Sequence, residues 1–397
     1  MSDSQDSAAQ ARALALGAVD VLPEGDLAAR LAEGRPLRVK LGIDPTAPDI
    51  HLGHVVVLEK LRQFQEAGHT VVLIIGDYTA RVGDPSGRSN ERPVLSDAQI
   101  DAHAATFTEQ AFKVLDRKRT EIRFNSEWLE MPSSELFALA RRFTVARLLE
   151  RDDFTNRMKA SEPISALELL YPVLQGYDSV AIDSDLEIGG TDQKFNLLFG
   201  RDVQSSFGKR PQGVMTLPIL PGLDGRQRMS KSLGNYVGVT DPPAEMFGKL
   251  MSVPDEAMGT YWTLLLGEEL DRKRHPNEAK RELARRLTDR FHGEGAGAKA
   301  EARFDEVHVR GEVPADIAEL PLPRPANGDE GSVHLPALIA SAFGTSASEA
   351  RRLIGQGAVR IDGKPVGREV LDLARDGLSG RVLQVGKRRH VRLVDPA

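Results

Sequence analysis

LRVKLGIDPTAPDIHLGHVVVLEKLRQFQEAGHTVVLIIGD, residues 37–77, decides the fold. Its first seven residues and its last nine are apolar, β-branched runs that read as strands, and the stretch from about Val55 between them is amphipathic and long enough for a helix. Two strands joined through a helix must lie parallel, because only a crossover connection returns the chain to the same end of the sheet. The same rhythm continues to Leu220 through EIRF (121–124), SVAI (179–182) and GVMTLPIL (213–220). The expectation is an α/β domain built on a doubly wound parallel sheet, with ligands bound beyond the carboxyl ends of the strands where strand order reverses.

After about Thr240 the strand signals stop. PNEAKRELARRLTDRFHGEGAGAKAEARFDEV (276–307) reads as charged helices, and the prolines of LPLPRPANGDEGS (320–332) read as an exposed linker. Beyond it, VHLPALIASA and SASEARRLIGQG read as helices, AVRIDGKPV holds a tight turn at DGK, and VLQVGKRRHVRLV reads as a basic strand pair. The expected organisation is a catalytic domain over 1–240, a helical domain over 241–320, a linker over 321–331 and a small α+β domain over 332–397.

The chain of 397 residues is 41% hydrophobic and carries a formal net charge of −6, with no cysteine. Disulfides and thiolate metal sites are excluded, and no protein-ligated metal is expected. The N-terminal twenty residues carry acidic groups and no long apolar stretch, so the expectation is a cytoplasmic protein with no membrane partner. The charge is uneven: residues 332–397 hold 11 Lys+Arg against 6 Asp+Glu, whereas the rest holds 41 against 52. A basic tail on an acidic body points to a polyanionic partner for the tail.

Two short motifs carry chemistry. DPTAPDIHLGH (44–54) ends at a helix start, where free N–H groups favour phosphate; Gly53 would let a nucleotide approach the backbone, and His51 and His54 can donate to phosphate oxygens. Alone, HLGH reads equally well as a helix start with solvated or capping histidines. RMSKS (228–232) lies in the glycine-bounded loop after the last strand, where Arg228 and Lys231 could close over a polyphosphate. A third constellation, YPVLQGYD, places Tyr171, Gln175 and Asp178 at i, i+4 and i+7 on one helix face, so that Asp178 can accept a hydrogen bond from a substrate hydroxyl.

HLGH and RMSKS, in this order, resemble the signature motifs of class I aminoacyl-tRNA synthetases, and YxxxQxxD resembles the tyrosine-binding helix of the tyrosyl-tRNA synthetases. The resemblance implies a Rossmann-like catalytic domain that activates tyrosine with ATP and magnesium and transfers it to tRNA(Tyr). It implies ATP binding by Thr46, His51, Gly53, His54, Gly190, Asp192 and Lys231, with Lys231 stabilising the departing pyrophosphate beside Arg228. It also implies tyrosine binding by Tyr171, Gln175, Asp178, Gln193 and, for the ammonium group, Asp84. Arg228 stands where the family has a lysine, a planar guanidinium in place of a point charge. Where the better-known bacterial enzymes give the substrate phenol a second, tyrosine partner, this chain has Lys40; the second partner is then Lys40 itself or a water acting with Asp178. The tail resembles a small RNA-binding module of a ribosomal protein, which implies phosphate contacts by Arg351, Arg352, Arg360 and Lys364. A homodimer is implied by the resemblance alone. The competing readings are a tryptophanyl enzyme, which would keep both signature motifs, and an RNA-binding scaffold without catalysis.

Overall fold

The computed structural model describes residues 2–46, 48–84, 96–271, 273–308, 317–323, 331–386 and 389–396. Two compact units divide the chain, 1–284 and 285–397. The first is organised by six strands, β1 (Asp20–Leu22), β2 (Arg38–Ile43), β3 (Thr70–Ile75), β4 (Thr120–Phe124), β5 (Leu186–Gly190) and β6 (Gly213–Leu217). Their spatial order is β1-β6-β5-β2-β3-β4. All neighbours run parallel except the edge strand β1, which pairs antiparallel with β6. From β2 the chain winds outward through β3 and β4, then returns to place β5 and β6 on the other side of β2. The reversal therefore falls between β2 and β5, and the crevice beyond their carboxyl ends is where a ligand is expected.

The central strands are apolar because both faces are covered: Val71, Val72, Leu73, Ile74 and Ile75 of β3 are all buried. SVAI, expected as a strand, is instead the end of helix Ala166–Ala181 and the turn after it. Two local facts outweigh the β-propensity of Val180. Ser165 and Glu168 form a capping box that starts the helix, and Val173, Leu174 and Val180 bury together in one apolar cluster. The chain turns at Asp183, whose φ is 51°, and the strand at this point in the sheet is β5.

The helices expected over 241–320 include Pro243–Met251, Asp255–Tyr261, Pro276–His292 and Ala296–His308, whereas Glu319 and Leu320 lie in a strand and 309–316 lie outside the described residues. The division between the compact units falls inside helix Pro276–His292 rather than at 240 or 331. In the second unit, Val359–Ile361 and Lys364–Pro365 form the hairpin expected at DGK, its two turn residues left-handed, with φ of 48° at Asp362 and 76° at Gly363. Val382–Val385 and Arg389–Val394 pair antiparallel, as the basic strand pair. The expected linker starts inside this sheet: Glu319–Pro321 pairs in parallel with Arg392–Val394, and Leu322 is buried in the unit's core. Pro321 is tolerated there because the strand lies at the sheet edge. Residues 324–330 of that linker lie outside the described residues. Among the described residues, no helix is long and apolar enough to cross a membrane.

Candidate functional site

A cavity of about 460 Å³ opens at the reversal point, within the first unit. At its nucleotide end, helix Leu52–Glu66 begins with His51 as its N-cap. The His51 imidazole accepts from the Gly53 N–H through Nδ1 at 3.1 Å, and the His54 Nδ1 accepts from the His51 N–H at 3.2 Å. The rings stack with centroids 3.9 Å apart. The capping reading of HLGH is therefore correct, and it supports the chemical one: a ring that accepts at Nδ1 and is neutral must carry its proton on Nε2, leaving a donor for a phosphate oxygen. Burial, with Lys231 nearby, holds His54 at a pKa of about 4, and burial with the charges of His54, Lys231 and Arg228 pushes His51 well below the ordinary range. Gly53 has a steric reason beyond nucleotide approach, since a Cβ there would lie 2.9 Å from His51 Cε1. Gln110, on helix Asp97–Ala111, grips the loop before the cap by accepting from Ile50 N at 2.6 Å and donating to Pro48 O at 3.0 Å.

The RMSKS segment lines the same cavity, and both of its cations are paired. Lys231 Nζ donates to Asp49 Oδ2 at 2.5 Å, and Arg228 donates to Asp192 Oδ2 at 2.9 Å. Burial raises the Asp192 pKa against the pull of the Arg228 charge. Asp192 follows β5 in the short turn Thr191–Gln193, and a Cβ at Gly190 would meet its Oδ1 at 2.6 Å.

At the far end, Tyr171, Gln175 and Asp178 project from one face of helix Ala166–Ala181 into the cavity. The Tyr171 hydroxyl donates to Asp44 Oδ2 at 2.9 Å, and Thr79 donates to Asp44 Oδ1 at 2.7 Å. Gly76 is required here: a Cβ would fall 2.1 Å from Asp44 Oδ1. Asp178 accepts from Trp128 Nε1 at 2.8 Å. Burial pushes its carboxyl up to about 7, opposed by the Lys40 charge and by hydrogen bonds from Trp128 and Asn125. Gln193 donates to Asp84 Oδ2 at 2.8 Å and accepts from Asn196 Nδ2 at 3.1 Å.

Every residue expected to bind ATP or tyrosine lines this one cavity, with the exception of Lys40. Lys40 is fully buried below it, and its ammonium is held by Glu187 Oε1 at 2.9 Å, Ser179 Oγ at 2.8 Å and Gln175 O at 2.9 Å. Three acceptors saturate its three N–H donors, so Lys40 has none left for a phenol. Asp44, Asp49, Asn125, Trp128 and Glu187 were missed as site residues. The usable signal was the charge at Lys40 and Glu187, each inside a strand that the parallel-sheet pattern buries on both faces.

In the second unit, Arg351, Arg360 and Lys364 are exposed on helix Ala347–Gly355 and the adjoining hairpin. Arg352 is exposed as well, but Glu349 holds it in a fork, with bonds of 3.0 and 2.5 Å, which offsets its charge toward a phosphate.

A family model described as tRNA synthetases class I (W and Y) matches residues 32–309, which sets the class. A tyrosine–tRNA ligase of Moorella thermoacetica is 51% identical over 98% of this chain and 96% of its own length, and one of Thermotoga maritima is 48% identical over 97% of each. The tyrosyl-tRNA synthetase of Archaeoglobus fulgidus, solved with L-tyrosine, superposes with a TM-score of 0.61 at 24% identity, covering 74% of this chain and 99% of that one. The chain belongs to the tyrosyl-tRNA synthetases. The tryptophanyl alternative is set aside by these relatives.

Proposed function

We propose that the two ends of the cavity divide the work of tyrosine–tRNA ligation. The tyrosine carboxylate attacks the α-phosphorus of ATP, the bond to the β-phosphate oxygen breaks, and tyrosyl-adenylate and pyrophosphate result. No protein nucleophile takes part, so the residues act by positioning and by stabilising charge. The Nε2–H groups of His51 and His54 donate to the phosphates, and Lys231, released from Asp49, meets the charge that develops on the leaving pyrophosphate. Arg228 takes a second phosphate contact once the nucleotide ribose replaces it on Asp192. Thr46, Gly53 and Gly190 border the nucleotide. Magnesium is assigned to the nucleotide, as MgATP, where it shares the phosphate charge.

At the other end, Asp178 accepts the substrate phenol, with a water as the second partner in place of Lys40. Asp84 and Gln193 lie at the ammonium and carboxylate side. Phenylalanine is rejected because its binding leaves buried Asp178 without its hydroxyl partner. In the second step a ribose hydroxyl at the 3′ end of tRNA(Tyr), oriented through phosphate contacts at Arg351, Arg360 and Lys364, attacks the tyrosyl carbonyl; the ester bond forms, the acyl–phosphate bond breaks and AMP leaves. We assign catalysis to residues 1–240, anticodon-side contacts to the helices up to 320, and RNA binding to the tail. We assign the chain to the cytoplasm and to a homodimer, the second of these supported by large apolar side chains left exposed at Phe137, Val145 and Met158.

One observation carries this reading: His51–His54, Arg228–Lys231 and Tyr171–Asp178 converge on a single cavity from three distant parts of the sequence. Amino-acid-dependent ATP–pyrophosphate exchange across the twenty amino acids tests it, with tyrosine expected as the sole strong driver. No exchange with tyrosine would leave a catalytically inert scaffold. A chain ended at residue 316, before the strand Glu319–Pro321, should keep exchange and lose tRNA charging; unchanged charging would remove the tail from RNA binding.

A further inference from the structure

Lys40 and Glu187 face each other across the sheet as Cα partners in the parallel β2–β5 pair, and both are essentially unexposed. A buried ion pair is poor evidence of stabilisation, because desolvating two charges offsets much of their attraction. Its geometry here serves a different end. Glu187 Oε1 accepts from Lys40 Nζ at 2.9 Å and from Gln175 Nε2 at 3.2 Å, while Oε2 accepts from Ser179 Oγ at 3.3 Å and from Gln212 Nε2. Four donors converge on one carboxylate, so in this arrangement it acts as an acceptor only.

An acceptor-only neighbour fixes the orientation of an amide. With Gln175 Nε2 bound to Glu187, the Gln175 oxygen must point the other way, and Oε1 is buried with no hydrogen-bond partner. Gln175 lines the amino-acid end of the cavity, one helical turn from Asp178. A buried amide oxygen without a partner costs stability unless a donor arrives. Of the three polar groups of tyrosine, the ammonium is the one that only donates.

We propose that the buried Lys40–Glu187 pair is a positioning device that locks the Gln175 amide with its oxygen reserved for the substrate ammonium group. Lys40 acts two steps from the substrate: one N–H is bound by Glu187 Oε1, the oxygen that also accepts from the Gln175 amide, and another holds the Gln175 carbonyl. A neutral Glu187 could donate to Gln175 Oε1, turn the amide over and present an NH₂ group to the ammonium. The pair thus selects for the amino group of the substrate and leaves the phenol to Asp178. This inference rests on the proposed tyrosine-binding role of the cavity end that Gln175 lines.

Two competitive inhibitors of tyrosine-driven pyrophosphate exchange separate the possibilities. Tyramine keeps the ammonium, and 3-(4-hydroxyphenyl)propionate lacks it. In Glu187→Gln the inhibition constant of tyramine and the KM for tyrosine should rise by about tenfold or more, the scale of one hydrogen bond to a charged group. The constant for the propionate and the KM for ATP should not move. Lys40→Met should move the ratio of the two inhibition constants in the same direction; the charge it removes from beside Asp178 acts on both inhibitors alike, since both carry the phenol. The ratio of the two inhibition constants is read on folded molecules alone, so lowered stability does not mask it. Equal shifts for both inhibitors, or none for either, would overturn the proposal. Gln175→Ala is the reference: if it leaves the ratio unchanged, the assignment of Gln175 to the ammonium fails, whereas a ratio moved by Gln175→Ala but not by Glu187→Gln refutes the positioning role alone.

Discussion

The nucleotide end and the amino-acid end of the cavity solve different electrostatic problems. At the nucleotide end the cations Lys231 and Arg228 are 17% and 30% exposed and rest on Asp49 and Asp192, in ion pairs that an incoming polyphosphate can replace at small cost. At the amino-acid end Asp178, Glu187 and Lys40 are buried and locked by several hydrogen bonds each. Exchangeable partners suit a site whose charge changes during reaction; fixed ones suit a site that must distinguish one hydroxyl from none. The difference teaches that the signature motifs alone describe only the first of these ends.

Lys231→Ala should break the nucleotide end most severely. Loss of one preorganised charge that faces the leaving group is expected to slow adenylate formation by ~10²–10³-fold in single-turnover measurements. Near-normal rates would erase the contrast, since Lys231 would then do no more than its resting pair with Asp49. At the other end, Asp178→Ala should narrow the tyrosine-over-phenylalanine preference in kcat/KM by ~10²-fold, the cost of a lost hydrogen bond to a buried charged group. An unaltered preference would move phenol recognition elsewhere.

The buried end should also announce itself through pH. Because the folded-state carboxyl of Asp178 sits at about 7 and an unfolded aspartate ionises near 4, ionising it opposes folding. The penalty is absent below pH 4, grows between 4 and 7, and is complete above 7. Asp178→Asn should therefore raise the melting temperature at pH 8, by the equivalent of up to a few kcal/mol, and change it little at pH 4. In the native protein, kcat/KM for tyrosine should fall as pH drops below about 7 and Asp178 takes up its proton. His51 and His54, neutral throughout this range, should add no step of their own near pH 6.5.

Much of the sheet was legible because its strands are buried on both faces, and a buried parallel strand is an apolar run. SVAI was misread for the same reason: a short apolar run looks alike in a strand and in the last turn of a buried helix, and the start signal at Ser165 lies fourteen residues upstream. Within the site, the residues legible in sequence were those fixed by local spacing, HLGH on a helix tip and YxxxQxxD on a helix face. The partners that tune them were not, because Asp49 meets Lys231 and Trp128 meets Asp178 only after folding. Lys40 shows the limit plainly. The family resemblance left Lys40 or a water as the second partner of the phenol, but the Lys40 side chain turns toward Glu187, because an ammonium buried inside a parallel sheet must find a carboxylate.

The smallest expected effect concerns the resting pair. Asp49→Asn frees Lys231 before ATP arrives, and the KM for ATP should fall by a few-fold at most, in keeping with a partly exposed ion pair. A rise would mean that Asp49 guides Lys231 to the phosphates rather than merely parking it.

The claim that the amino-acid end is complete without the nucleotide end is tested most directly by equilibrium binding of tyrosine, with ATP absent, to the native protein and to Lys231→Ala. Equal dissociation constants are predicted, because Tyr171, Asp178 and Gln193 are held by Asp44, Trp128 and Asp84, whereas Lys231 rests on Asp49. A tenfold or larger weakening in the variant would contradict the division of labour and make the cavity a single coupled site.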